Sequence, residues 1–332
     1  MKKKILIIGG TAFVGRVLLE HLLQLGGYEI TLFNRGKTNA GLFSGVAQIH
    51  GNRETDDIKL LANKNWDVVI DFCGYYPLSL QKIVDTLRGR IGRYIFVSTG
   101  SVYDLEQIGE QTITEDSLLY TCSDAEKTDH SMETYGKRKV ACEQVLLDAK
   151  ADIDPIILRP GVIYGQYDPF DRHYYWLYRI QQQGKILVPT GSENLSSHTF
   201  VNDFAKIVTR AIDVPTHSNI YNTTTHPIIS FSEMLDSMSR ALNKKPTFVH
   251  ADVEFQEEAE IEPWSDLPLW INGNFFMVDS SRVLNDFGLE MTPLDESFRL
   301  AAEYYASKQW YIPKSGMTLD EEKDYIKILL YS

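Results

Sequence analysis

Short apolar runs alternate with amphipathic segments through the first half of the 332 residues, the runs are continuous in Val, Ile and Phe, and a glycine-rich turn joins the first run to the first amphipathic segment. Together these predict an α/β fold, a doubly wound parallel sheet of Rossmann type with a smaller C-terminal lobe. A parallel sheet is covered by helices on both faces, so its strands read as unbroken apolar runs. Such runs fall at 4–8, 29–33, 47–50, 67–72, 94–98 and 155–158. Between them, 14–25 has helical apolar spacing and stops at Gly26-Gly27, 78–87 is opened by Pro77, and 135–149 forms a further helix. After Leu158 the alternation loosens, aromatics cluster between Tyr164 and Tyr178, and 231–242 reads as a helix. The expected division is 1–158 for a dinucleotide-binding domain, with some later segments returning to it, and 159–332 for the second lobe.

Composition narrows the partners. The 45 Asp and Glu outnumber the 33 Lys and Arg, and the formal charge of −12 repels nucleic acids and anionic membranes unless a local patch overrides it. Cys73, Cys122 and Cys142 are odd in number and form no CxxC pair, so neither a disulfide framework nor a thiolate zinc site is supported, and a reducing, cytoplasmic compartment is expected. The apolar run after Met1-Lys2-Lys3-Lys4 ends at Gly9-Gly10, too short for a signal peptide, and no stretch reaches the roughly 18 apolar residues of a membrane span. Histidine and carboxylate spacing predicts no metal.

The turn Gly9-Gly10-Thr11-Ala12-Phe13-Val14-Gly15-Arg16 follows the first strand and opens the first helix. Glycines let the backbone approach a pyrophosphate, which the free N–H groups and dipole of the helix N-terminus then stabilise. In a G-x-x-G-x-x-G frame the middle place is Ala12, small enough to preserve that approach. About 20 residues beyond Gly15, where NAD binders often carry an acid for the ribose hydroxyl, stand Asn34-Arg35-Gly36-Lys37. Arg35, with Lys37 or Arg16 adding charge, suits a 2′-phosphate, so NADP is expected over NAD.

Tyr135 and Lys139 are spaced i, i+4, which places phenol and amine on one helix face. An ammonium beside a phenol favours the phenolate that a general base requires. Tyr304 and Lys308 repeat the spacing, but only Tyr135 follows a hydroxyl-bearing strand end, Ser98-Thr99-Gly100-Ser101-Val102-Tyr103, at the carboxyl edge of the expected sheet. Thr99 is thereby expected to hold a substrate oxygen or the phenol in line. His198 either bonds a substrate or, as a lone histidine at a strand start more often does, serves the structure, and the aromatic run 173–176 either lines a sugar-sized pocket or packs the second lobe.

These residues, with Tyr135-Gly136-x-x-Lys139-x-x-x-Glu143, Leu158-Arg159-Pro160-Gly161-Val162-Ile163-Tyr164-Gly165 and Phe200-Val201-Asn202-Asp203 in order, resemble the extended or atypical short-chain dehydrogenases/reductases, the NAD(P)-dependent epimerase/dehydratase family. The resemblance implies a substrate-binding second lobe and a catalytic triad of Thr99, Tyr135 and Lys139, with Lys139 also bonding the nicotinamide ribose. It implies cofactor contacts from Gly9, Thr11, Ala12, Phe13, Val14, Gly15, Asn34, Arg35 and Lys37, with Asn52 and Arg53 near the adenine. Phe72, Cys73, Gly74 and Ser98 would line the cofactor's middle, and Pro160, Gly161 and Val162 the nicotinamide pocket. Cys73 then packs rather than reacts. Family dehydratases place an Asp-Glu pair after the catalytic Thr, and here Gly100 and Ser101 stand there, so epimerisation or reduction of a small-molecule substrate is expected over dehydration. Sugar-nucleotide members carry a diphosphate-binding Arg where this chain has Ser196-Ser197-His198, which leaves the substrate open. Extended members commonly form homodimers. The glycine turn and Asn34-Arg35-Gly36 also resemble the chloroplast stem-loop RNA-binding and isoflavone-reductase-like subgroups, so a non-catalytic RNA binder or cofactor sensor is the rival reading.

Overall fold

The computed structural model describes residues 2–331 apart from 192, 227, 274 and 275, and divides into two compact units. The first comprises 1–161, 202–224 and 279–290, and the second 162–201, 225–278 and 291–332.

In the first unit the chain runs β1 (Lys3–Ile8), α1 (Phe13–Leu25), β2 (Tyr28–Asn34), β3 (Ala47–His50), β4 (Trp66–Asp71), α2 (Pro77–Leu87), β5 (Ile91–Val97), α3 (Leu105–Ile108), α4 (Tyr135–Asp148) and β6 (Asp154–Arg159). A seventh strand, Ile220–Asn222, returns to pair with β6. The sheet order is Ile220–Asn222, β6, β5, β4, β1, β2, β3, and every pairing is parallel. Ile5, Leu6, Leu32, Val69, Ile70, Ile95, Phe96, Ile156 and Ile157 are almost wholly buried, as strands covered on both faces require. Chain order reverses between β1 and β4, which opens a crevice at their carboxyl ends. Everything expected to bind cofactor in this unit sits along that edge.

The helices form for ordinary reasons. Buried Val17, Leu18, Leu19 and Leu22 make one face of α1, which stops where Gly26, at φ +67°, returns its N–H to the Leu22 carbonyl. Pro77 occupies the first turn of α2, where its missing N–H costs nothing. Helix α4 differs, because its buried residues include Arg138, Lys139 and Glu143. Charge on a buried helix face is expensive unless answered by partners, and these three have specific ones.

The second unit pairs Val162–Tyr164 with His198–Phe200 and Lys185–Pro189 with Thr247–Ala251, both parallel, and Leu195–Ser196 antiparallel with Ile229–Ser230. Its core is aromatic: Tyr174, Tyr175, Trp176 and Tyr178 of the helix Arg172–Gln182 pack among Tyr164, Phe231, Trp270, Phe298 and Tyr305. The run 173–176 thus packs this core. His198 is not alone, since its Nδ1 lies 2.9 Å from His173 Nε2 and its Nε2 lies 2.8 Å from Ser196 Oγ. Among the described residues no helix is long and apolar enough to cross a membrane.

Buried imidazoles resist protonation, which makes this unit acid-sensitive. Burial, helped by the His226 and Arg172 charges, holds His198 down at about 3, and burial keeps His173 well below the ordinary 6.5. Unfolded, both take up a proton near pH 6.5, so their stabilisation is complete above that pH and is lost as pH falls toward 3. For His198 alone this is on the order of 5 kcal/mol. Urea unfolding at pH 7, 6, 5 and 4 is expected to show a falling midpoint in the wild type and a shallower fall in His198→Gln.

Candidate active site

The glycine turn is built around close approaches. Gly9 and Gly10 take φ of +90° and +82°, and a Cβ on Gly9 would stand 2.5 Å from Cys73 Sγ. A Cβ on Gly15 would stand 2.7 Å from Gly10 Cα, so the third glycine is required by backbone packed on backbone. Ala12 precedes α1 without any side-chain cap, and no acidic residue occupies the first helical turn. The opening N–H groups are therefore left for an anion, and a pyrophosphate fits the charge and the missing side chains. The Thr11 carbonyl accepts from Asn39 Nδ2 at 2.7 Å, which fastens the loop after β2 to this turn. In that loop Asn34 Oδ1 accepts from Gly36 N at 2.8 Å, while Arg35 and Lys37 are exposed.

Beside the turn lies a buried polar cluster that periodicity did not reveal. Asp71, fully buried at the end of β4, accepts from Arg53 Nη1 at 2.6 Å, Cys73 N at 2.8 Å and Tyr94 OH at 2.7 Å. Burial raises its pKa, but Arg53 and the hydrogen bonds outweigh this and hold it below the ordinary value. Arg53, expected near an adenine, commits Nη1 to Asp71 and Nε to Ser79 Oγ at 3.0 Å, leaving Nη2 buried with no partner. Asn52 is half-buried and accepts from Glu54 N at 3.1 Å. Burial pushes the Cys73 thiol up to about 11, which fits a packing role.

The Thr99, Tyr135 and Lys139 side chains gather at the carboxyl ends of β4 and β5. Thr99 caps a 3-10 turn over Gly100–Val102, accepting from Ser101 N at 3.1 Å. A Cβ on Gly136 would stand 2.0 Å from the Ser101 carbonyl oxygen, so glycine after Tyr135 lets α4 start directly against that turn. The Tyr135 phenol is raised by burial, opposed by its interaction with the Thr99 hydroxyl, whereas the i, i+4 spacing alone predicts lowering by Lys139. The reason is where the ammonium goes: Lys139 Nζ donates to the Gly74 and Val97 carbonyls at 3.0 and 2.8 Å and lies 3.9 Å from the Phe96 ring centroid. Burial brings this amine down to about 8. Tyr75 flanks both groups, its ring centroid 6.5 Å from that of Tyr135 and 5.9 Å from Lys139 Nζ.

A second buried network fixes this arrangement. Arg159 donates to Glu143 through Nη2 at 2.6 Å and Nε at 3.1 Å, and through Nη1 to Tyr103 OH at 3.0 Å and the Glu115 carbonyl at 3.2 Å. Ser98 Oγ donates to Glu143, and Tyr103 OH donates to Asn222 Oδ1. Glu143 thus ties α4 to the ends of β5 and β6, one helical turn from Lys139. Gly100 N donates to the Pro160 carbonyl at 2.7 Å. Gly161 closes the first unit, while Val162 belongs to the second.

The sheet order, the glycine turn and the crevice at its edge define a class, the extended short-chain dehydrogenase/reductase fold. The chain belongs to the NAD dependent epimerase/dehydratase family, whose model matches residues 5–223. It is similar to the chloroplast stem-loop binding protein of 41 kDa b of Arabidopsis thaliana, 26% identical over 268 residues, which cover 75% of this chain and 66% of that protein. It is also similar to UDP-glucose 4-epimerase of Vibrio cholerae, 27% identical over 275 residues, covering 75% of this chain and 78% of the relative. Among solved structures, UDP-glucuronic acid 4-epimerase from Bacillus cereus in complex with NAD superimposes with a TM-score of 0.66 at 18% identity, over 93% of this chain and 100% of that one.

Proposed function

We propose that this protein is an NADP-dependent epimerase or reductase acting on a hydroxyl or carbonyl of a sugar, sugar nucleotide or similar small molecule, with Thr99, Tyr135 and Lys139 as its catalytic residues. The observation that carries the reading is the gathering of these three side chains at the sheet edge that also holds the glycine turn. A nicotinamide dinucleotide, when bound, accepts and returns the hydride. Tyr135 takes the proton of a substrate hydroxyl as the carbonyl forms and gives it back on return, and the Thr99 hydroxyl steadies the phenolate. Lys139, already held by two carbonyls, has one donor left for a ribose hydroxyl. Gly9, Thr11, Ala12, Phe13, Val14 and Gly15 would cradle the pyrophosphate, Asn34, Arg35 and Lys37 the adenosine ribose, and Asn52 with Arg53 Nη2 the adenine. Phe72, Cys73, Gly74, Ser98, Pro160, Gly161 and Val162 complete the expected cofactor contacts, and the second unit carries substrate selection. Gly100 and Ser101 supply no acid and base for elimination, which favours epimerisation or reduction over dehydration.

NADP is preferred because exposed Arg35 matches a 2′-phosphate bidentately. Arg35→Glu is expected to weaken NADP binding by about 10- to 100-fold and to leave NAD binding nearly unchanged, as read by calorimetry. A panel of UDP-sugars with cofactor, followed by proton NMR for new epimers or reduced products, tests the activity. Equal loss of NAD and NADP in the variant would remove the NADP reading, and an inert panel would remove the sugar-nucleotide one. The Arabidopsis relative is named for stem-loop binding, which favours a second reading, RNA binding without turnover, and the charge of −12 opposes it. Salt-sensitive retention on RNA would support it.

A further inference from the structure

Arg138, in the first turn of α4, is only 3% exposed. Positive charge is unfavourable there twice over: burial strips its water, and the helix N-terminus carries the positive end of the dipole. A buried arginine is ordinarily answered by a carboxylate. The described partners of Arg138 are instead neutral. Its Nη1 donates to the carbonyls of Asp129 and Ser131, the latter at 3.0 Å, and to the Thr134 hydroxyl at 2.5 Å, while Nε is buried with no partner. The Asp129 carboxylate accepts from the hydroxyls of Ser131 and Thr134 at 2.6 and 3.0 Å. The guanidinium carbon lies 5.2 Å from the Tyr76 ring centroid, and Tyr76 OH meets His130 Nδ1 at 2.5 Å. One arginine therefore holds the segment 129–134, which leads directly into Tyr135, and sets its guanidinium one helical turn from that residue, with the Asp129 carboxylate sharing the Thr134 hydroxyl with it.

We propose that Arg138 is a positioning residue for Tyr135, ordering the segment that delivers the phenol and holding positive charge against it as its proton leaves. The inference rests on the reading of Tyr135 as the proton-transfer group. The groups facing Tyr135 are Arg138 and Cys142 of its own helix, Thr99 of the 3-10 turn and Tyr75 after β4, with Lys139 beyond Tyr75. Burial pushes Cys142 and Tyr75 each up to about 12, so both are neutral at pH 7 and oppose a phenolate only in alkali. Arg138 acts in the opposite sense, favouring the phenolate. An arginine at this place was visible in Tyr135-Gly136-Lys137-Arg138-Lys139, but its burial was not.

The test labels tyrosine Cζ with carbon-13, assigns Tyr135 by the signal lost in Tyr135→Phe, and titrates wild type, Arg138→Gln and Arg138→Lys, with near-UV circular dichroism reporting the fold. Arg138→Gln is expected to move the onset of Tyr135 ionisation up by about one pH unit, and Arg138→Lys to stay near wild type. An unmoved onset in a folded Arg138→Gln overturns the proposal, and so does an equal displacement in both variants, which would mark a purely structural role. Arg138→Lys alone decides if Arg138→Gln does not fold: ionisation displaced by as much as one unit with the charge retained counts against us. The titration needs no turnover, so retained activity in Tyr135→Phe would sink the catalytic reading separately.

Discussion

Tyr135→Phe is expected to cut turnover by about 1,000-fold while leaving dinucleotide affinity and the unfolding temperature close to wild type. The variant removes one oxygen and keeps the ring that packs beside Tyr75, so α4 and the Gly136 contact with Ser101 have no reason to move. What disappears is the phenol oxygen that interacts with the Thr99 hydroxyl. Turnover is read on whichever substrate the UDP-sugar panel reveals, and affinity by calorimetry on the same preparation. Activity within about threefold of wild type would mean that the proton travels through another group, whereas joint loss of activity and cofactor binding would mean that the hydroxyl serves cofactor binding or local structure and not proton transfer alone.

Arg159→Leu is expected to destabilise the first unit by about 3–5 kcal/mol, because it leaves the Glu143 carboxylate 2% exposed without its countercharge, with the Ser98 hydroxyl still donating to it. The same substitution removes the donors to Tyr103 OH and the Glu115 carbonyl, so β5, β6 and α4 lose their common anchor. Combining it with Glu143→Gln should recover part of the loss, since the buried charge is then gone from both sides. Urea unfolding at pH 7 of the single and double variants measures this. Equal instability in the two would show that the hydrogen bonds, and not the stranded charge, matter most.

The sequence makes legible the parts of the fold that are local. The six strands it located are β1 to β6 within a few residues, since unbroken apolar runs with turn signals at both ends are local signals. The glycine turn was equally local as a motif, with Gly10 and Gly15 answering contacts inside the strand-to-helix junction, although Gly9 answers Cys73 from beyond β4. The pairing of Ile220–Asn222 with β6 was not legible, because three residues carry no periodicity and their partner lies about 60 positions earlier in the chain. The same applies to Asp71 with Arg53 and to Glu143 with Arg159. Each looked like an ordinary charge, and only the fold shows it buried against its counterpart. Lys139 was located correctly on the helix, but helix spacing could not show that the Gly74 and Val97 carbonyls would draw its ammonium.

In the proposed function a nicotinamide dinucleotide rests its pyrophosphate at the opening of α1. Calorimetric titration of wild type and Gly15→Val with NADP and NAD tests it most directly, because the added side chain would strike the Gly10 backbone exactly where the turn must stay narrow. Saturable one-to-one binding in the wild type, lost in a folded Gly15→Val, is the predicted result. Binding that survives the substitution unchanged, or a wild-type protein that takes up neither dinucleotide, would contradict it.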